Sequence, residues 1–366
     1  MTLDRITLSG FRNHAESRLD GTAHFNLLVG ENGAGKTNVL EALSLFAPGR
    51  GLRRAALTDM APRSTPASEN AGFGVSALLD CGDGSEAVRL GTGTRPDRPG
   101  RRLVHINGAE SSALALGEWL AMGWLTPAMD GLFTDSAGAR RRYMDRLALA
   151  LDPLHARHAS RYDAALRERN RLLDGDAEPD PQWLDAIEAQ LAEHGAALAR
   201  GRMSLVARLT EELALLPDRP FARPALTYAA SGSAEAAELA EDLQRHRAHD
   251  RAARRTLTGP HRDDLEVVMA GKEALAATCS TGEQKAMLIA ITLAHAALAA
   301  RGRPGLLLLD EVAAHLDPVR REALFGRLRG GAAQVWMTGT ELAPFEAIAG
   351  EAAMWRVSGG KVERAN

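Results

Sequence analysis

Hydrophobic and polar positions predict that the chain begins as a strand–loop–helix unit. Leu3–Leu8 alternates apolar and polar side chains, which predicts a half-buried strand, and the apolar run Phe25–Val29 predicts a more buried one. Residues 37–46 then carry apolar side chains at helical spacing, until the sequence Pro48-Gly49 ends the predicted helix.

Further strands are predicted after a segment at 61–71 that is rich in Ser, Pro, Thr and Asn and is expected to be a mobile loop. Three strand candidates, 73–79, 86–90 and 103–106, are separated by glycine, proline and charged residues. Their succession predicts a small antiparallel sheet.

The composition of the sequence changes between residue 138 and about residue 255, where Ala, Leu, Arg and Glu dominate. Apolar residues such as Ile187, Leu191 and Leu198 recur every three or four positions, which is typical of helices. Two interruptions, 174–181 and 216–224, carry Pro and Asp and predict connections between helices.

Strands and helices alternate again past residue 259. Strands are predicted at 265–269, 305–309 and 334–338, and helices at 282–300 and 318–329. Because the segment 305–309 is wholly apolar and is flanked by helices, it predicts a parallel sheet that is covered on both faces.

The predicted fold class is therefore α/β, with a mixed sheet that has helices on both faces and a small antiparallel sheet beside it. The head domain is expected to be discontinuous and to comprise residues 1–130 and 260–366. An all-helical insertion at 131–259 interrupts it.

The composition fits a globular protein large enough for two cores, with 366 residues of which 45% are hydrophobic and 25% charged. No long apolar stretch follows a basic start, so no secretory signal is expected. The most apolar window, 286–300, stops at Arg301 and is too short to span a bilayer. We expect a cytoplasmic protein with no membrane partner.

Cysteine usage and net charge limit which kinds of binding site the sequence predicts. Cys81 and Cys279 fit neither a disulfide framework nor a zinc cluster. The net charge is −3, with 44 basic and 47 acidic residues, so any contact with nucleic acid must be local.

A phosphate-binding loop is predicted after the strand Phe25–Val29. The segment matches the pattern G-x(4)-G-K-[ST] and consists of Gly30, Glu31, Asn32, Gly33, Ala34, Gly35, Lys36 and Thr37. Glycines permit a tight turn whose amide groups point at phosphate oxygens, and the following helix dipole favours the same anion. Lys36 would reach the β- and γ-phosphates of a nucleotide, and the Thr37 hydroxyl would ligate Mg²⁺. The alternative is an ordinary glycine turn.

Two carboxylates follow the apolar strand 306–309. Since ligands bind at the carboxyl ends of strands in open α/β sheets, Asp310 and Glu311 are candidates to complete the site. Asp310 would hold Mg²⁺ through water, and Glu311 would orient or deprotonate the attacking water. The alternative is a strand that merely ends at the surface.

A third motif, Ser280-Thr281-Gly282-Glu283-Gln284-Lys285, opens an apolar helix. A hydroxyl, a glycine and a free helix N-terminus would form a second anion site. In a head-to-tail dimer, this loop of one subunit could cap the γ-phosphate that is bound by the other. The alternative is a well-capped helix in which Ser280 and Glu283 form a capping box.

These three motifs, with Ala314-His315-Leu316-Asp317 after the acidic pair, resemble those of the ABC-type ATPase heads. Such heads occur in transporter subunits and in the SMC and Rad50 group. The acidic strand lies too far beyond Lys36 for a plain transporter subunit, which implies an insertion; here it is the helical lobe.

The chain further resembles the RecF family of bacterial recombination and repair proteins. The matching motifs follow the family's order and lie at 11–13, 30–42, 48–53, 141–145, 258–265, 280–285 and 306–317. The sequence Gly-Pro-His-Arg at 259–262 is much more specific than the phosphate loop. The resemblance implies a Rad50-like head with a compact helical arm in place of a coiled coil.

The resemblance implies a weak, DNA-stimulated ATPase that acts as a switch. Its cofactors would be ATP and Mg²⁺, and ATP binding would induce a homodimer. The dimer would bind double-stranded DNA and single-strand/double-strand junctions and, with RecR and RecO, would promote loading of RecA at single-stranded gaps. Such a protein would be cytoplasmic and nucleoid-associated.

The resemblance also implies roles for individual residues. Lys36 and Glu311 would be catalytic, and Thr37 and Asp310 would bind the metal. Beyond the phosphate loop, the residues implied at the nucleotide are Arg12, Asn13, Asn38, Ser280, Gly282 and Asp317. Of these, Ser280 and Gly282 would act across the dimer interface, which Asp317 would organise.

Two departures from transporter-type heads favour slow hydrolysis. Residues 126–133 contain no glutamine that could sense Mg²⁺, and Thr338-Gly339-Thr340 stands where those heads have a histidine. The competing interpretations are an SMC-like chromosome-organising ATPase and a nucleotide-binding subunit of a transporter. The first would need long heptad arms, and the interrupted lobe is too short for them.

Two arginine clusters are candidates for contact with DNA phosphates. They comprise Arg140, Arg141, Arg142 and Arg146 at the start of the helical lobe and Arg245, Arg247, Arg251, Arg254 and Arg255 near its end. The alternative is a set of solvated arginines that are interleaved with acidic residues.

Overall fold

The computed structural model describes residues 2–62, 72–80, 82, 84, 86–217 and 219–365. The chain forms two compact units, of which unit 1 comprises Met1–Met129 and Ile291–Asn366 and unit 2 comprises Asp130–Ala290. Positions 63–71 of the predicted loop lie outside the described residues, as does Cys81.

The helices and strands follow one another along the chain in three stretches. Before unit 2 come β1 (Thr2–Phe11), β2 (His14–Leu19), β3 (Phe25–Val29), α1 (Lys36–Ser44), α2 (Leu57–Met60), β4 (Gly74–Asp80), β5 (Val88–Arg95), β6 (Arg98–Ile106), β7 (Ala109–Ser111), α3 (Ala113–Trp119) and β8 (Ala121–Leu125). Unit 2 contains α4 (Ala137–Leu151), α5 (Leu154–Asp174), α6 (Pro181–Ala214), β9 (Pro224–Ala229), α7 (Ala236–Arg245), α8 (Arg247–Ala252), β10 (Asp264–Met269), β11 (Ala274–Leu275) and the start of α9 (Thr281–Ala299). The chain closes with β12 (Gly305–Leu309), α10 (Pro318–Arg329), β13 (Gln334–Gly339), β14 (Ala352–Ser358) and β15 (Lys361–Ala365).

The first sheet of unit 1 is antiparallel and has the order β2-β1-β4-β5-β6-β7. It confirms the three predicted short strands and is larger than predicted, because β1, β2 and β7 join it. Leu3, Ile6 and Leu8 of β1 are buried and pack in one core with Leu40 and Leu43 of α1, although an irregularity between Asp4 and Thr7 interrupts the strict alternation. The sheet therefore supports the helix that follows the predicted phosphate loop.

The second sheet of unit 1 has the order β15-β14-β3-β13-β12-β8, and every adjacent pair is parallel except β14–β15. All five residues of β12 are buried, as the apolar sequence predicts for a central strand. Because β3, β13 and β12 are neighbours and parallel, their carboxyl ends meet at one edge. The phosphate loop and the acidic pair both begin at that edge.

Unit 2 combines helices with a three-stranded sheet of order β11-β10-β9. Its core includes Tyr162 of α5, Leu191 and Leu198 of α6, and Leu239 of α7. The structure thus differs from the all-helical lobe expected at 131–259, because the six residues of β9 pair with β10. That pairing also places the start of the predicted segment 260–366 in unit 2, whose last residue is Ala290.

No helix in the described part of the chain is long and apolar enough to cross a membrane. All but the last residue of the most apolar window, 286–300, lies within α9, whose residues Met287, Leu288 and Ile291 are all buried in the protein.

Buried charges tie the elements of unit 2 together. Arg169 of α5 is fully buried and donates to Glu188 of α6 (3.0 Å) and to Asp250 of α8 (2.6 Å). It also donates to the Thr256 hydroxyl (2.8 Å) and to the Leu243 carbonyl oxygen (3.0 Å). One guanidinium therefore compensates two carboxylates that are removed from water.

Replacing Arg169 with alanine should lower the free energy of unfolding by about 3–5 kcal/mol, because the buried carboxylate of Asp250 would lose this guanidinium and that of Glu188 would be left with Arg247. We expect a lower urea midpoint for the loss of helical circular dichroism. The matched control is Arg245→Ala, since Arg245 makes an exposed ion pair with Asp242 and its loss should leave the midpoint almost unchanged. Equal midpoints for the two variants would contradict the structural role assigned to Arg169.

Candidate nucleotide-binding site

The phosphate loop connects β3 to α1 and takes its shape from glycine. Gly33 has a φ of 81° and Gly35 a φ of 115°, in the left-handed region that side chains disfavour. A Cβ on Gly30 would lie 2.1 Å from the Val357 carbonyl oxygen. Gly35 is the N-cap of α1 and has no side chain to cap it, so the first amide groups of the helix suit an anion.

Lys36 lies under this loop with only 4% of its surface exposed. Its Nζ donates to the carbonyl oxygens of Gly30 (2.6 Å) and Glu31 (2.9 Å). Burial lowers the pKa of Lys36, and the charges of Glu311 and Asp310 oppose that shift. A phosphate group in the loop would add the negative charge that favours the ammonium form.

The back of the loop is held by Asn13 and by two residues that the sequence did not single out, His14 and Gly360. The Ala34 carbonyl oxygen accepts hydrogen bonds from the Asn13 side-chain amide (3.0 Å) and from the Gly360 backbone (3.0 Å). The Gly35 carbonyl oxygen lies 3.1 Å from Nε2 of the fully buried His14, so that nitrogen carries the ring proton. These contacts engage the carbonyl oxygens of Ala34 and Gly35 with neighbouring protein groups and so fix this part of the loop.

The buried carboxylate of Glu41 organises the side chains beside the loop. It accepts from Arg12 (2.7 and 2.9 Å) and from Arg53 (3.0 Å). Asn38 accepts from Arg53 (2.7 Å) and donates to Asn13 (2.7 Å). The three residues implied at the nucleotide, Arg12, Asn13 and Asn38, thus lie together, and direct contact with a ligand stays a prediction for them.

Asp310, which follows the apolar strand β12, contacts Thr37 at the end of the phosphate loop. The Thr37 hydroxyl lies 3.0 and 3.1 Å from the two carboxylate oxygens of Asp310. Burial raises the pKa of Asp310, hydrogen bonds from Thr338 and Thr37 oppose the shift, and the charge of Glu311 adds to it. Hydroxyl and carboxylate oxygens are the ligands that Mg²⁺ prefers, so Thr37 and Asp310 fit a site for that ion.

Glu311 follows Asp310 in a conformation that is rare for a residue with a side chain. Its φ is 54°, and its backbone N–H donates to the Thr338 hydroxyl (2.9 Å). Such backbone strain is common where a side chain must be aimed at a reacting group. The carboxylate is partly exposed, which leaves it accessible to water.

Asp317 lies in the same unit and caps α10. Its carboxylate accepts from the backbone N–H of Arg320 (2.9 Å), as a residue before a helix-initiating proline commonly does. This contact explains the residue within one chain, and its part in a dimer interface stays a prediction.

Ser280 and Gly282 belong to unit 2, where both are exposed. Ser280 and Glu283 exchange hydrogen bonds: the Ser280 backbone donates to the Glu283 carboxylate (3.0 Å), and the Glu283 backbone donates to the Ser280 hydroxyl (3.4 Å). The capping-box alternative is therefore present in the structure. Lys272 and the two Ser280 donors lower the pKa of Glu283 to about 2. A γ-phosphate contact from this loop stays a prediction.

Most arginines of the two candidate DNA clusters are engaged within unit 2. Arg140 donates to both carboxylate oxygens of Asp264 (2.8 and 2.7 Å), and Arg141 donates to a backbone carbonyl. In the second cluster the acidic or carbonyl acceptors belong to Asp242, Glu188, Asp185, Ala177 and Asp174. These contacts favour the ion-paired alternative over a free phosphate-binding face.

Curated relatives identify the family of the chain. A family model described as the RecF/RecN/SMC N terminal domain matches residues 2–350. The chain is 48% identical to the DNA replication and repair protein RecF of Brucella suis biovar 1 (strain 1330), over 99% of this chain and 96% of that protein. It is 46% identical to the protein of the same name from Mesorhizobium japonicum, over 98% of this chain and 97% of that protein.

Solved structures show the same fold. The recombination mediator protein RecF bound to ATPrS has a TM-score of 0.86 at 22% identity, with 100% of this chain and 98% of that chain covered. RecF bound to ATP has a TM-score of 0.85 at 23% identity, with 100% and 97% covered. An Smc head bound to the C-winged helix domain of ScpA is more distant, with a TM-score of 0.55, 15% identity, and 100% and 97% covered. The predicted ABC-type ATPase-head fold is confirmed, and the chain belongs to the RecF family.

Proposed function

We propose that this protein is an ATP-dependent, DNA-binding dimer of recombinational repair. The observation that carries the proposal is the contact between Thr37 and Asp310, which joins a phosphate loop to an acidic strand 273 positions away. The full-length relatives are DNA replication and repair proteins, and two structures of the same fold contain ATP or ATPrS.

In the proposed site, the amide groups of the loop and Lys36 bind the phosphates of ATP. Thr37 would ligate Mg²⁺ and Asp310 would hold it through water, and the bound ion supplies positive charge against the phosphates. Glu311 accepts a proton from the water whose oxygen attacks the γ-phosphorus. The bond from that phosphorus to the bridging oxygen breaks, and ADP and phosphate leave.

The nucleotide acts as a switch in this proposal. ATP closes a homodimer because Ser280 and Gly282 of a second copy cap the γ-phosphate, and Asp317 lies at the shared interface. Hydrolysis removes that phosphate and reopens the dimer. A weak, DNA-stimulated ATPase with slow turnover fits a chain that has Thr338-Gly339-Thr340 where transporter-type heads have a histidine.

The closed dimer binds double-stranded DNA near single-stranded gaps and, with RecR and RecO, promotes loading of RecA. With this function the protein would act in the cytoplasm and at the nucleoid. An SMC-like chromosome-organising role is supported less well, since the Smc head is 15% identical whereas the Brucella relative is 48% identical. A transporter subunit is disfavoured by the same relatives.

Replacing Lys36 with arginine should abolish ATP-induced dimerisation. Its Nζ lies between two carbonyl oxygens at 2.6 and 2.9 Å, a space that the broader guanidinium of arginine does not match. Sedimentation velocity with and without ATP measures the change, and Lys361→Arg, at an exposed position of β15, is the matched control.

Ser280→Arg should also abolish ATP-induced dimerisation, because it would block the contact between Ser280 and the γ-phosphate that is bound by the other subunit. The switch would be wrong if the unmodified protein showed one monomer–dimer equilibrium under both conditions.

The variant Glu311→Gln should bind ATP and remain dimeric for longer, because the amide cannot accept the proton of the attacking water. Hydrolysis should fall by about 100-fold or more, the usual contribution of a general base. Single-turnover hydrolysis and sedimentation measure the two effects. Glu322→Gln, at an exposed position of α10, is the control and should behave like the unmodified protein. Normal hydrolysis by Glu311→Gln would exclude Glu311 as the base.

Binding to duplex or gapped DNA should require ATP and should weaken by about 1,000-fold or more between roughly 50 and 200 mM salt, because contacts to phosphates release counterions. Fluorescence anisotropy with gapped, duplex and single-stranded DNA at both salt concentrations measures this. Single-stranded DNA alone should bind less tightly. Equal affinities with and without ATP would separate DNA binding from the nucleotide cycle and refute the coupling.

A further inference from the structure

Thr338 lies at the carboxyl end of β13, between the strand that leads to the phosphate loop and the strand that leads to the acidic pair. Only 1% of its surface is exposed. Its hydroxyl donates to the Asp310 carboxylate (2.8 Å) and accepts the backbone N–H of Glu311 (2.9 Å). One hydroxyl group therefore contacts both acidic residues of the candidate site.

The second of these contacts acts on a strained backbone. Glu311 has a φ of 54°, and its N–H belongs to the peptide that joins it to Asp310. Rotation of this peptide would turn the Glu311 side chain towards a different direction and would relieve the strain. Because the Thr338 hydroxyl holds that N–H, it opposes the rotation.

The first contact acts on Asp310. Two hydroxyl groups donate to this carboxylate, Thr37 from the phosphate loop and Thr338 from β13. If Thr37 turns towards a metal ion, Thr338 is the hydroxyl that still fixes the orientation of Asp310. Outer partners of this kind commonly set how well a carboxylate serves a metal ion.

The next residue fixes the position of Thr338 itself. The Gly339 carbonyl oxygen accepts the backbone N–H of Gly30 (3.2 Å), the first residue of the phosphate loop. A Cβ on Gly339 would lie 2.4 Å from the Phe345 ring, so the close packing requires glycine. Thr338 and Gly339, which are consecutive in β13, thus fix the position of the acidic pair relative to the phosphate loop.

We infer that Thr338 is a positioning residue that orients Asp310 and Glu311 for hydrolysis of ATP. The inference rests on the proposed function. It adds a positioning role that is distinct from metal binding by Thr37 and Asp310 and from proton abstraction by Glu311. The Thr338 hydroxyl contacts a polar group of each of these two residues and takes no proton from the substrate. A hydroxyl that both donates and accepts is required, which serine retains and valine lacks.

The test compares Thr338→Val, which keeps the shape of the side chain, with Thr338→Ser, which keeps the hydroxyl. For the valine variant, kcat should fall by about 100-fold while KM for ATP changes little, because groups that bind phosphate stay in place. The serine variant should recover most of the rate. Thr94→Val is the matched control, since buried Thr94 also accepts a backbone N–H, from Phe73 (3.4 Å), in the antiparallel sheet.

A binding measurement tests the same inference without hydrolysis. The Mg²⁺ concentration needed for tight binding of a fluorescent ATP analogue should rise by about tenfold in Thr338→Val and not in Thr94→Val. Unchanged kcat and unchanged Mg²⁺ dependence would overturn the inference, as would a parallel loss in valine and serine variants. If the unmodified protein bound ATP but never hydrolysed it, the proposed ATPase would fail, and the Mg²⁺ dependence would still decide the role of Thr338.

Discussion

The hydrogen bond between the Thr37 hydroxyl and the Asp310 carboxylate is the contact on which the candidate site depends. The two residues are 273 positions apart, and unit 2 lies between them in the sequence. They meet because β3 and β12 flank β13 in one parallel arrangement, so that the segments after these strands emerge at one edge. A chain that failed to pair these strands would have both motifs and no site.

A buried cation and a buried anion lie at that edge of the sheet, and both need stabilising contacts. Burial lowers the pKa of Lys36 and raises the pKa of Asp310, so the surroundings disfavour charge on each of them. The structure offsets this with fixed dipoles, since carbonyl oxygens surround the ammonium group and hydroxyl groups donate to the carboxylate. Such a preorganised polar environment is ready to accept further charge without rearranging.

The sequence predicts those parts of the site whose pattern is local. A glycine-rich loop before a helix and two carboxylates after an apolar strand each carry their signal within a few residues, and both lie where predicted. His14, Gly360 and Thr338 could not be assigned in this way, because their contacts with the loop and the acidic pair arise only when distant segments pack. The sequence signal that includes Thr338 is the segment Thr338-Gly339-Thr340, which stands where transporter-type heads have a histidine. Strand β9 was missed since helix-forming residues dominate on both sides of it.

The arginine content of the chain suggests contacts with DNA, but arginines of unit 2 also form ion pairs within the protein. In unit 2, Arg202 donates to Asp145 (2.8 and 2.9 Å) and to Asp263 (3.0 Å), and Asp263 also accepts from the Tyr228 hydroxyl. Asp263 follows the Gly-Pro-His-Arg sequence at 259–262, so the most specific family motif contributes directly to a buried ionic network.

The histidine of that motif has a similar role. His261 donates from Nε2 to the Thr256 carbonyl oxygen (3.0 Å) and accepts from the Tyr162 hydroxyl (2.8 Å), and burial lowers its pKa. A Cβ on Gly259 would lie 2.7 Å from the same hydroxyl, which explains the glycine. Because a buried polar group without a hydrogen-bond partner is destabilising, His261 is constrained by folding before any ligand is considered. The core of unit 2 thus accounts for Gly259, His261 and Asp263, whereas Arg262 of the same motif is exposed.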